Sequence, residues 1–494
     1  MSSKVQTKFH NKPLGKSPSA KANRVYSKSH TTASMTRGKV AYMMSRFPKI
    51  TETFILYEML AMEQQGIAVE VFPLRRERTS VVHPEAVPFV ERAHFQPLLS
   101  IAILHAHLTF LRKKPLAYLS ALGSLLRANL GSLRYFTGAL ALFPKAVYFA
   151  NQMEAEGITH IHAHFASHPA AAAFVIHRLV GIPYSFTAHG SDLHRDRHML
   201  REKVADAAFV VPISNYNRQI ILDECDGQFS DKVIVIHCGV DTTVFQVRTA
   251  PTPYAEGKGP FSVLCIGTLH EVKGQTYLIE ACRLLRERGI RIACHFAGDG
   301  PDLAALTAQA AQAGVTEQMH FHGRLTRDEV VRLLHQADAV ATPSVPTSDG
   351  RREGIPVALM EAMGSGVPVV ASNLSGIPEL VEDGVCGLLA QPGDAVGLAD
   401  ALEKLYHAPE VRQRFAALGR DKVIREFDLT TNAALLAQQF STKNSLKPVP
   451  GKADTYNPPE KFRTPSSSAR PRGGDPGGAG QNFSGHLYRK KGQR

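Results

Sequence analysis

Short apolar segments alternate with longer helical segments along most of this 494-residue chain, and the alternation occurs in two successive series. The first series begins near residue 39 and the second near residue 261. Between them, residues 251–260 are rich in Pro and Gly, as is typical of a linker. Strands that alternate with helices form parallel sheets through right-handed crossovers. The sequence therefore predicts an α/β fold with two doubly wound, Rossmann-like domains that face each other across a cleft.

The pattern places each element approximately. In the first series, strands are predicted at 39–45, 69–73, 160–164, 184–188, 209–213 and 233–237, with helices at 51–66 and 169–180. In the second, strands are predicted at 262–266, 291–297, 319–322, 339–342, 368–372 and 387–389, with helices at 275–288, 301–313, 327–337, 356–363 and 377–381. The predicted parts are an N-terminal domain at 39–250 with a helical insert at about 97–150, the linker at 251–260, a C-terminal domain at 261–425, and a helix at 426–440 packing back on the N-terminal domain. Because ligands of such folds bind at the carboxyl ends of the strands, we expect the site in the cleft.

The net charge of +13 is carried by the two ends of the chain. Residues 1–39 contain nine Lys and Arg and no acidic residue, and residues 441–494 contain eleven Lys and Arg against three acidic residues, which leaves about −4 for residues 40–440. Both ends are poor in large apolar residues, so 1–38 and 441–494 are predicted to be disordered basic tails. Such tails either solubilise a protein or contact anionic lipid or nucleic acid. The slightly acidic body argues against a nucleic-acid-binding face there.

The cysteine pattern and the hydropathy of the sequence indicate where in the cell the protein is located. The six cysteines form no CxxC pair and no zinc-finger spacing, and most lie in apolar runs, which favours a reducing compartment. No secretory signal and no run of 18 apolar residues is apparent. The insert at 97–150 combines an apolar pattern with the basic run Arg112–Lys114, which fits either a buried helical insert or a helix on a membrane face. We expect a cytoplasmic protein, with peripheral binding to the inner face of the plasma membrane as a further hypothesis.

Residues 353–364 carry the clearest chemical pattern. Pro356 suits the first position of a helix, where its missing N–H is not needed. The amides of Gly354–Val357 and the helix dipole would then form an anion site suited to a diphosphate. Glu353 would lie beside that anion, where a carboxylate could accept hydrogen bonds from sugar hydroxyls, and Glu361 could accept them from a ribose diol. The alternative interpretation is a capping Glu353 and an incidental Glu361.

The residues around this segment resemble the signature of the family 4 retaining glycosyltransferases, which have the GT-B fold. The matching stretches in the C-terminal half are Ile266–Leu269, Lys273-Gly274, Ala297–Pro301, His322–Leu325, Ser344, Glu353–Glu361, Gly366–Ala371, Gly376–Glu379, Glu382–Gly384 and Gly387–Leu389. In the N-terminal half, Phe47–Phe54 and Phe186–Asp192 resemble members that build exopolysaccharide of the colanic-acid type. The resemblance covers about residues 40–440. It implies a hexosyltransferase-type enzyme that moves a sugar from a nucleotide-diphosphate-sugar to a glycan or polyprenyl-linked saccharide.

The resemblance also implies a role for each matching residue. Glu353 would contact the donor sugar, Lys273 the diphosphate, and His189 the transferred sugar from the N-terminal side. The implied donor-binding residues are Gly267, Thr268, Arg324, Leu325, Gly354, Ile355, Pro356, Val357 and Glu361, and the implied acceptor-side residues are Thr51, Glu52 and Asp192. Taken alone, a histidine in Thr-Ala-His-Gly is more often structural, and Lys273 would be a solvated loop lysine.

One position departs from the family pattern. Many members carry an arginine after the glycine that corresponds to Gly267, where it pairs with the loop lysine on the diphosphate, and this chain has Thr268. Arg351 and Arg352 are candidates to replace that charge. The implied reaction retains the anomeric configuration, with the leaving diphosphate stabilised by Lys273 and the amides of Gly354–Val357. No Asp-x-Asp motif is apparent near a strand end, so no metal and no other cofactor is expected.

Two other interpretations stay open at this point. A nucleotide-sugar epimerase would use the same architecture, and it would change the sugar of the donor without any acceptor. A membrane- or nucleic-acid-tethering protein would act through its basic tails, and its binding would depend steeply on salt.

Overall fold

The first series of apolar segments forms a five-stranded parallel sheet in the order β2-β1-β3-β4-β5. Its strands are β1 Lys39–Phe47, β2 Ala68–Arg76, β3 His160–His164, β4 Tyr184–Ala188 and β5 Phe209–Pro212. Strands β3, β4 and β5 are buried along their whole length. Burial on both faces is what a parallel sheet covered by helices requires.

The second series forms a six-stranded parallel sheet in the order β11-β10-β9-β6-β7-β8. Its strands are β6 Phe261–Ile266, β7 Ile292–Ala297, β8 Met319–Gly323, β9 Ala339–Thr342, β10 Val369–Ser372 and β11 Leu388–Ala390. Its order reverses between β9 and β6, which is where such sheets open a crevice for ligands.

The computed structural model describes residues 38–49, 51–78, 83–97, 100–194, 196–247 and 259–444. These residues lie in one compact unit.

Helices cover both faces of each sheet. Those of the N-terminal half are α1 Thr53–Gln64, α2 Val87–Glu91, α3 Ile101–Lys113, α4 Pro115–Ala128, α5 Leu133–Ala155, α6 His168–Val180, α7 Ser191–His194, α8 Leu200–Asp206 and α9 Asn215–Glu224. Those of the C-terminal half are α10 Gln275–Glu287, α11 Leu303–Gln312, α12 Arg327–Gln336, α13 Val357–Gly364, α14 Ile377–Leu380, α15 Ala395–His407 and α16 Pro409–Glu426. The predicted insert at 97–150 corresponds to α3, α4 and most of α5. None of the described helices is both long and apolar enough to cross a bilayer.

The last helix, α17 Leu429–Asn444, returns to the N-terminal sheet. Its residues Leu436 and Phe440 share a buried apolar cluster with Met59 of α1 and Phe209 of β5. The ring of Phe440 lies 4.9 Å from that of His160 on β3. The helix predicted at 426–440 therefore begins three residues later and packs against α1.

Two expectations differ from the structure, and a third lies mostly outside the described residues. No strand forms at 233–237. Val233 makes a single bridge with Val210, and further pairing with β5 is limited because Pro212 has no N–H to donate. Pro356 precedes α13 as its N-cap, so the helix begins one residue later than predicted. Of the predicted linker only residues 259–260 are described, and the predicted tails lie outside the described residues apart from residue 38 and residues 441–444.

Candidate active site

A cavity of about 890 Å³ lies between the two sheets, at the carboxyl ends of their strands. The loops that follow β1 to β5 line one side, and the loops that follow β6, β7 and β8 line the other. The amino end of α13 completes the wall on the C-terminal side. Its volume falls within the range of small-molecule sites, about 300–1,000 Å³.

The cavity brings together nearly all the residues singled out in the sequence. Those that line it are Thr51, Glu52, His189, Gly267, Thr268, Lys273, Arg324, Leu325, Glu353, Gly354, Ile355, Pro356, Val357 and Glu361. Asp192 does not line it. Because these residues come from both halves of the chain, the site is assembled only when the two sheets face each other.

The amino end of α13 opens onto the cavity. Pro356 has φ −63° and ψ 126°, the extended conformation of an N-cap, and the first helical residues are Val357 and Ala358. Within the described part of the chain, no protein group accepts a hydrogen bond from the amides of Gly354, Ile355, Val357 or Ala358. Unpaired amides at the positive end of a helix dipole bind anions. This end is therefore able to receive a phosphate group.

The loop of His189 packs directly against the segment before α13. A Cβ built on Gly354 would lie 2.5 Å from the carbonyl oxygen of His189, and one on Gly190 would lie 3.2 Å from the amide nitrogen of Gly354. Only glycine allows two backbones to approach this closely. The approach brings His189, at the end of β4, to the amino end of α13 across the cavity.

Glu353 is held by two side chains. The Nζ atom of Lys273 lies 2.6 Å from Glu353 Oε1, and the hydroxyl of Ser344 donates to Oε2 over 2.7 Å. Lys273 and Glu353 are largely buried, with 18% and 15% of their side chains exposed. The carboxylate is therefore fixed beside the helix end instead of capping it, which excludes the capping interpretation of Glu353.

Lys273 ends a short 3₁₀ turn, Glu271–Lys273, in the loop that follows β6. Gly267 lies under its side chain, and a Cβ there would meet Lys273 Cε at 3.1 Å. Gly274 follows with φ +66°, and a Cβ there would lie 1.8 Å from the carbonyl oxygen of Pro343. These two glycines let the lysine turn inward and let its loop pack on the segment after β9.

The cavity wall contains several positively charged side chains besides the arginine that is missing at position 268. Of the two candidates from the sequence, Arg352 lines the cavity, whereas Arg351 pairs with Asp349 at 3.0 Å and does not line it. Four further cations line the cavity and were not among the predicted site residues, namely Arg46, Lys49, Arg78 and Arg327. They lie at the end of β1, after β1, after β2 and on α12, so they form no local motif and only the fold shows that they meet here.

Glu361 lies one turn into α13, where burial raises its pKa to about 7 and the nearby guanidinium of Arg327 opposes that rise. Arg327 also stacks over the ring of Tyr57 from α1, with its Cζ atom 4.2 Å from the ring centroid. A second carboxylate, that of Asp241, lies 3.4 Å from the same guanidinium. Arg327 thus connects the C-terminal side of the cavity with the N-terminal side.

Arg324 and Leu325, which follow β8, and Thr51 and Glu52, which follow β1, also line the cavity. The guanidinium of Arg324 lies 3.2 Å from Asp299, and both side chains are exposed. Burial raises the pKa of Glu52, while Lys49, whose Nζ atom lies 2.6 Å from its carboxylate, opposes the rise.

Asp192 differs from the expectation that it lies on the acceptor side. Its carboxylate accepts hydrogen bonds from the backbone amides of Ala166, His189 and Gly190. Burial raises its pKa, and these amide hydrogen bonds oppose the rise. Because all three donors belong to the loops after β3 and β4, Asp192 stabilises the His189 loop without lining the cavity itself.

Two groups of three side chains among the described residues bring possible metal ligands together. They are Glu58, His162 and His164, and Glu70, His94 and Glu156. Neither group lines the cavity between the sheets. Both ring nitrogens of His162 are already hydrogen-bonded to the hydroxyls of Ser185 and Thr187. The expectation of a metal-independent reaction stays a prediction.

Comparison with known families agrees with this geometry. Residues 248–422 match the family described as Glycosyl transferases group 1, and residues 125–244 match Glycosyltransferase Family 4. The chain contains domains of these two glycosyltransferase families. The matched region begins within α4 and ends within α16, so it contains most of the cavity wall.

Named relatives of this glycosyltransferase include two proteins of polysaccharide assembly. The amylovoran biosynthesis glycosyltransferase AmsK of Erwinia amylovora is 34% identical over 49% of this chain and 59% of its own length. The Escherichia coli K12 protein WcaL, named for colanic acid biosynthesis, is 29% identical over 79% of this chain and 96% of its own length. The chain thus spans about three fifths of the first relative and nearly all of the second.

Solved structures show the same GT-B fold. HepE of Anabaena, crystallised with UDP, superimposes with a TM-score of 0.61 and 18% identity, over 82% of this chain and all of that one. A glycosyltransferase of Rickettsia africae gives a TM-score of 0.61 and 14% identity, over 82% of this chain and 98% of its own. At these identities the likeness establishes the fold of the glycosyltransferase. Its substrates have to be inferred from the residues of the site.

Proposed function

We propose that this glycosyltransferase moves a sugar from a nucleotide-diphosphate-sugar to a glycan or polyprenyl-linked saccharide acceptor in the assembly of a cell-surface polysaccharide. The observation that carries the proposal is the unpaired amino end of α13 beside the Lys273–Glu353 pair in the cavity. A cation and free amides suit a diphosphate, and a fixed carboxylate suits sugar hydroxyls. The names of AmsK and WcaL, and the HepE complexes with UDP and UDP-glucose, support the substrate class.

The roles in the proposal follow from position. Lys273 and the amides of Gly354–Val357 stabilise the negative charge that develops on the leaving diphosphate, which is electrostatic catalysis by groups already in place. Glu353 accepts from the sugar hydroxyls, and Glu361 accepts from the ribose diol. Arg324 and Leu325 border the base at the end of the cavity where β8 finishes. Arg352 lies in the same wall and provides a positive charge for the diphosphate in place of an arginine at position 268.

The acceptor enters from the N-terminal side in this proposal. Thr51 and Glu52 line that side of the cavity, and His189 lies beside the amino end of α13, where the sugar would be transferred. The acceptor hydroxyl attacks the anomeric carbon from the face that the diphosphate leaves, and the leaving phosphate takes the proton, so the configuration is retained. No step requires a metal ion, because Lys273 and the helix amides neutralise the leaving group.

Two experiments test the proposal. A panel of UDP-, GDP- and ADP-sugars is screened by thermal unfolding, because a ligand that binds the native state raises the melting temperature. The donor that gives the largest rise is then incubated with lipid-extracted saccharide acceptors, and NMR of the product reports the anomeric configuration. Transfer with retention, lost in Glu353→Ala and Lys273→Ala variants that remain folded, is the expected result. Full activity in both variants contradicts the site assignment, and epimerised sugar formed without acceptor favours the epimerase.

We also propose that the protein works at the cytoplasmic face of the plasma membrane. The helices α3 to α5 expose large apolar side chains, and Ile101 and Leu116 are 88% and 82% exposed. Between Glu91 and Glu154 the sequence contains no acidic residue, while Arg112, Lys113, Arg127 and Arg134 are exposed there. Leucines next to cations match the requirements of an anionic lipid surface. The six unpaired cysteines are consistent with a reducing compartment.

Flotation with lipid vesicles tests this location. The protein is expected to float with vesicles that contain phosphatidylglycerol, and to float less with pure phosphatidylcholine. A double variant, Ile101→Asn with Leu116→Asn, is expected to lose flotation, because both side chains are exposed and contribute little to the core. The matched control, Val396→Asn with Leu418→Asn, changes exposed apolar residues on α15 and α16 and is expected to float like the wild type. Equal flotation of both variants contradicts the assigned surface.

A further inference from the structure

Strand β3 carries three buried histidines at alternate positions, which are His160, His162 and His164. Residues two apart on a strand share one face of the sheet. This face is covered by α1 and α17, since the ring of Phe440 from α17 lies against both His160 and His162. A row of imidazoles in an apolar layer needs a hydrogen-bond partner for each nitrogen.

The hydroxyls of β4 provide partners for the first two histidines. The hydroxyl of Ser185 lies 2.7 Å from His160 Nε2 and 2.8 Å from His162 Nδ1. The hydroxyl of Thr187 lies 3.0 Å from His162 Nε2. These contacts hold the two rings in the sheet layer and leave His162 no free nitrogen.

His164 has different partners, and they lead to the cavity. Its Nδ1 lies 3.0 Å from Nε2 of His189. On the other side, its Nε2 lies 3.2 Å from Oε1 of Glu58 on α1, which is a charge contact without hydrogen-bond geometry, so this buried nitrogen has no hydrogen-bond partner among the described residues. The same carboxylate oxygen accepts a hydrogen bond from the hydroxyl of Tyr42 over 3.0 Å. A chain of contacts thus runs from Glu58 through His164 to His189.

The far end of the chain is at the cavity. His189 lines it, as does Cys238, whose sulfur lies 3.8 Å from His189 Nδ1. The rings of Phe54 and Phe165 lie with their centroids 4.6 and 4.7 Å from that of His189 and keep it from turning. Among the described residues, the Nδ1 atom of His189 therefore has only this weak contact with a thiol, which a sugar hydroxyl can replace.

The positions of the protons along this chain are coupled. A neutral imidazole has one N–H and one lone pair, so it donates on one side and accepts on the other. An ionised Glu58 at 3.2 Å favours the tautomer of His164 with its proton on Nε2. His164 then accepts through Nδ1, so His189 donates through Nε2 and has a lone pair on Nδ1. If Glu58 is protonated, this bias is lost, and the reversed arrangement with an N–H on Nδ1 of His189 becomes accessible.

We infer that Glu58, acting through His164, decides which ring nitrogen of His189 carries the proton and so whether His189 accepts from or donates to a sugar hydroxyl in the cavity. The inference rests on the proposed function for its consequence in catalysis. Glu58 and His164 are then positioning residues, since neither lines the cavity. The same logic, a buried carboxylate that selects the tautomer of a histidine, operates in hydrolase triads.

The surroundings keep the imidazoles neutral, as the coupling requires. Burial lowers the pKa of His164 to about 3 and lowers the pKa of His189 well below its usual value. Burial also raises the pKa of Glu58, with the histidines and the Tyr42 hydroxyl opposing that rise. Among the described residues, the titratable groups that face Glu58 are Tyr42, His162, His164, His189 and Cys238.

The ring ¹⁵N NMR spectrum of the histidines tests the inference without any assay of transfer. Chemical shifts separate protonated from unprotonated ring nitrogens, and the His189 signals are assigned by their loss in His189→Gln. At pH 8 the wild type is expected to show a proton on Nε2 and none on Nδ1. Glu58→Met removes the acceptor at similar size and is expected to give a mixture of tautomers. Glu58→Gln keeps an acceptor oxygen and is expected to keep the wild-type tautomer.

The matched control is on the same helix. Glu63 of α1 is also partly buried and pairs with Arg92, away from the histidines, so Glu63→Met is expected to leave the His189 signals unchanged. In transfer assays, Glu58→Met is expected to lower kcat at least tenfold with the donor KM within twofold. Glu58→Gln is expected to remove the acidic limb of the pH profile of kcat.

The outcomes separate the two proposals. A wild-type His189 with its proton on Nδ1 at pH 8, or an unchanged His189 spectrum in folded Glu58→Met, overturns the coupling. The expected spectra without transfer from any donor in the panel leave the coupling in place and count against the proposed function.

Discussion

The ammonium group of Lys273 lies 2.6 Å from the carboxylate of Glu353, and the two residues come from separate loops of the C-terminal half. The pair joins the loop after β6 to the segment before α13, so each charge holds the other at the edge of the cavity. A diphosphate bound at the helix end would share Lys273 with Glu353. The pair therefore places the cation for the leaving group and the acceptor for the sugar before either is bound.

Lys273→Met tests the cation. We expect kcat/KM for transfer to fall about 100-fold or more, the usual cost of removing one preorganised donor to a developing charge. Thermal unfolding and circular dichroism verify that the variant is folded. Lys404→Met, an exposed lysine in the last turn of α15, is the control and is expected to keep wild-type activity. Activity within twofold of wild type in the Lys273 variant is inconsistent with the assigned role.

Gly354→Ala tests the approach of the His189 loop to the helix end. The added Cβ would lie 2.5 Å from the carbonyl oxygen of His189, so the backbones must separate and transfer is expected to fall at least tenfold. Gly123→Ala on α4 is the control, because a Cβ there meets no atom within 4 Å. It is expected to raise stability by up to about 1 kcal/mol without loss of activity. Unchanged kcat/KM in Gly354→Ala would show that the contact is dispensable.

The sequence predicted those parts of the site that lie on one continuous segment. The pattern at 353–364 is local, since a helix amino end, its proline and its two glutamates are close along the chain, and the structure moves the helix start by only one residue. Arg327 and Tyr57 were missed because they meet only when α12 and α1 face each other across the cavity. Hydropathy alone also gave no reason to doubt a strand at 233–237, since its failure depends on the proline in the neighbouring strand.

Glu361→Gln tests the buried carboxylate of α13. Its pKa is raised to about 7, whereas an unfolded chain has a glutamate pKa of about 4.3. A carboxylate whose pKa rises on folding costs stability as the pH rises between these values, and the cost is fully present above the higher one. We therefore expect the variant to be more stable than wild type at pH 8, by roughly 2–4 kcal/mol, and equally stable at pH 4.

Urea unfolding at the two pH values measures this difference, and titration calorimetry measures the effect on the donor. At pH 8 the variant is expected to bind the donor less tightly, because the ribose diol loses an ionised acceptor. The same stability difference at pH 4 and pH 8 would exclude a buried titrating group at this position.

Glu379→Ala tests the contact between the two halves of the protein. The carboxylate on α14 accepts hydrogen bonds from the backbone amides of Asn215 and Tyr216, the first residues of α9, both over 2.8 Å. A carboxylate at a helix amino end also interacts favourably with its dipole. Its loss is expected to raise the radius of gyration in X-ray scattering and to lower kcat/KM several-fold. Glu382→Ala, an exposed residue three positions later, is the control. Equal scattering curves for the two variants would contradict the role of Glu379.

The histidine chain shows a second limit of local patterns. The apolar segment at His160–His164 predicts a strand, which the structure confirms as β3. It does not distinguish His164 from its neighbours, because the difference lies in the partners, Ser185 and Thr187 for one histidine and Glu58 with His189 for the other. Those partners come from α1 and β4, and only the packed fold brings them within hydrogen-bonding distance.

A crystal structure with the nucleoside diphosphate of the preferred donor tests the central claim most directly. The account predicts the diphosphate at the amino end of α13, with its oxygens within hydrogen-bonding distance of the amides of Val357 and Ala358 and of Lys273 Nζ. It also predicts the ribose next to Glu361. A diphosphate bound elsewhere in the cavity, with the amides of α13 left unoccupied, would contradict it.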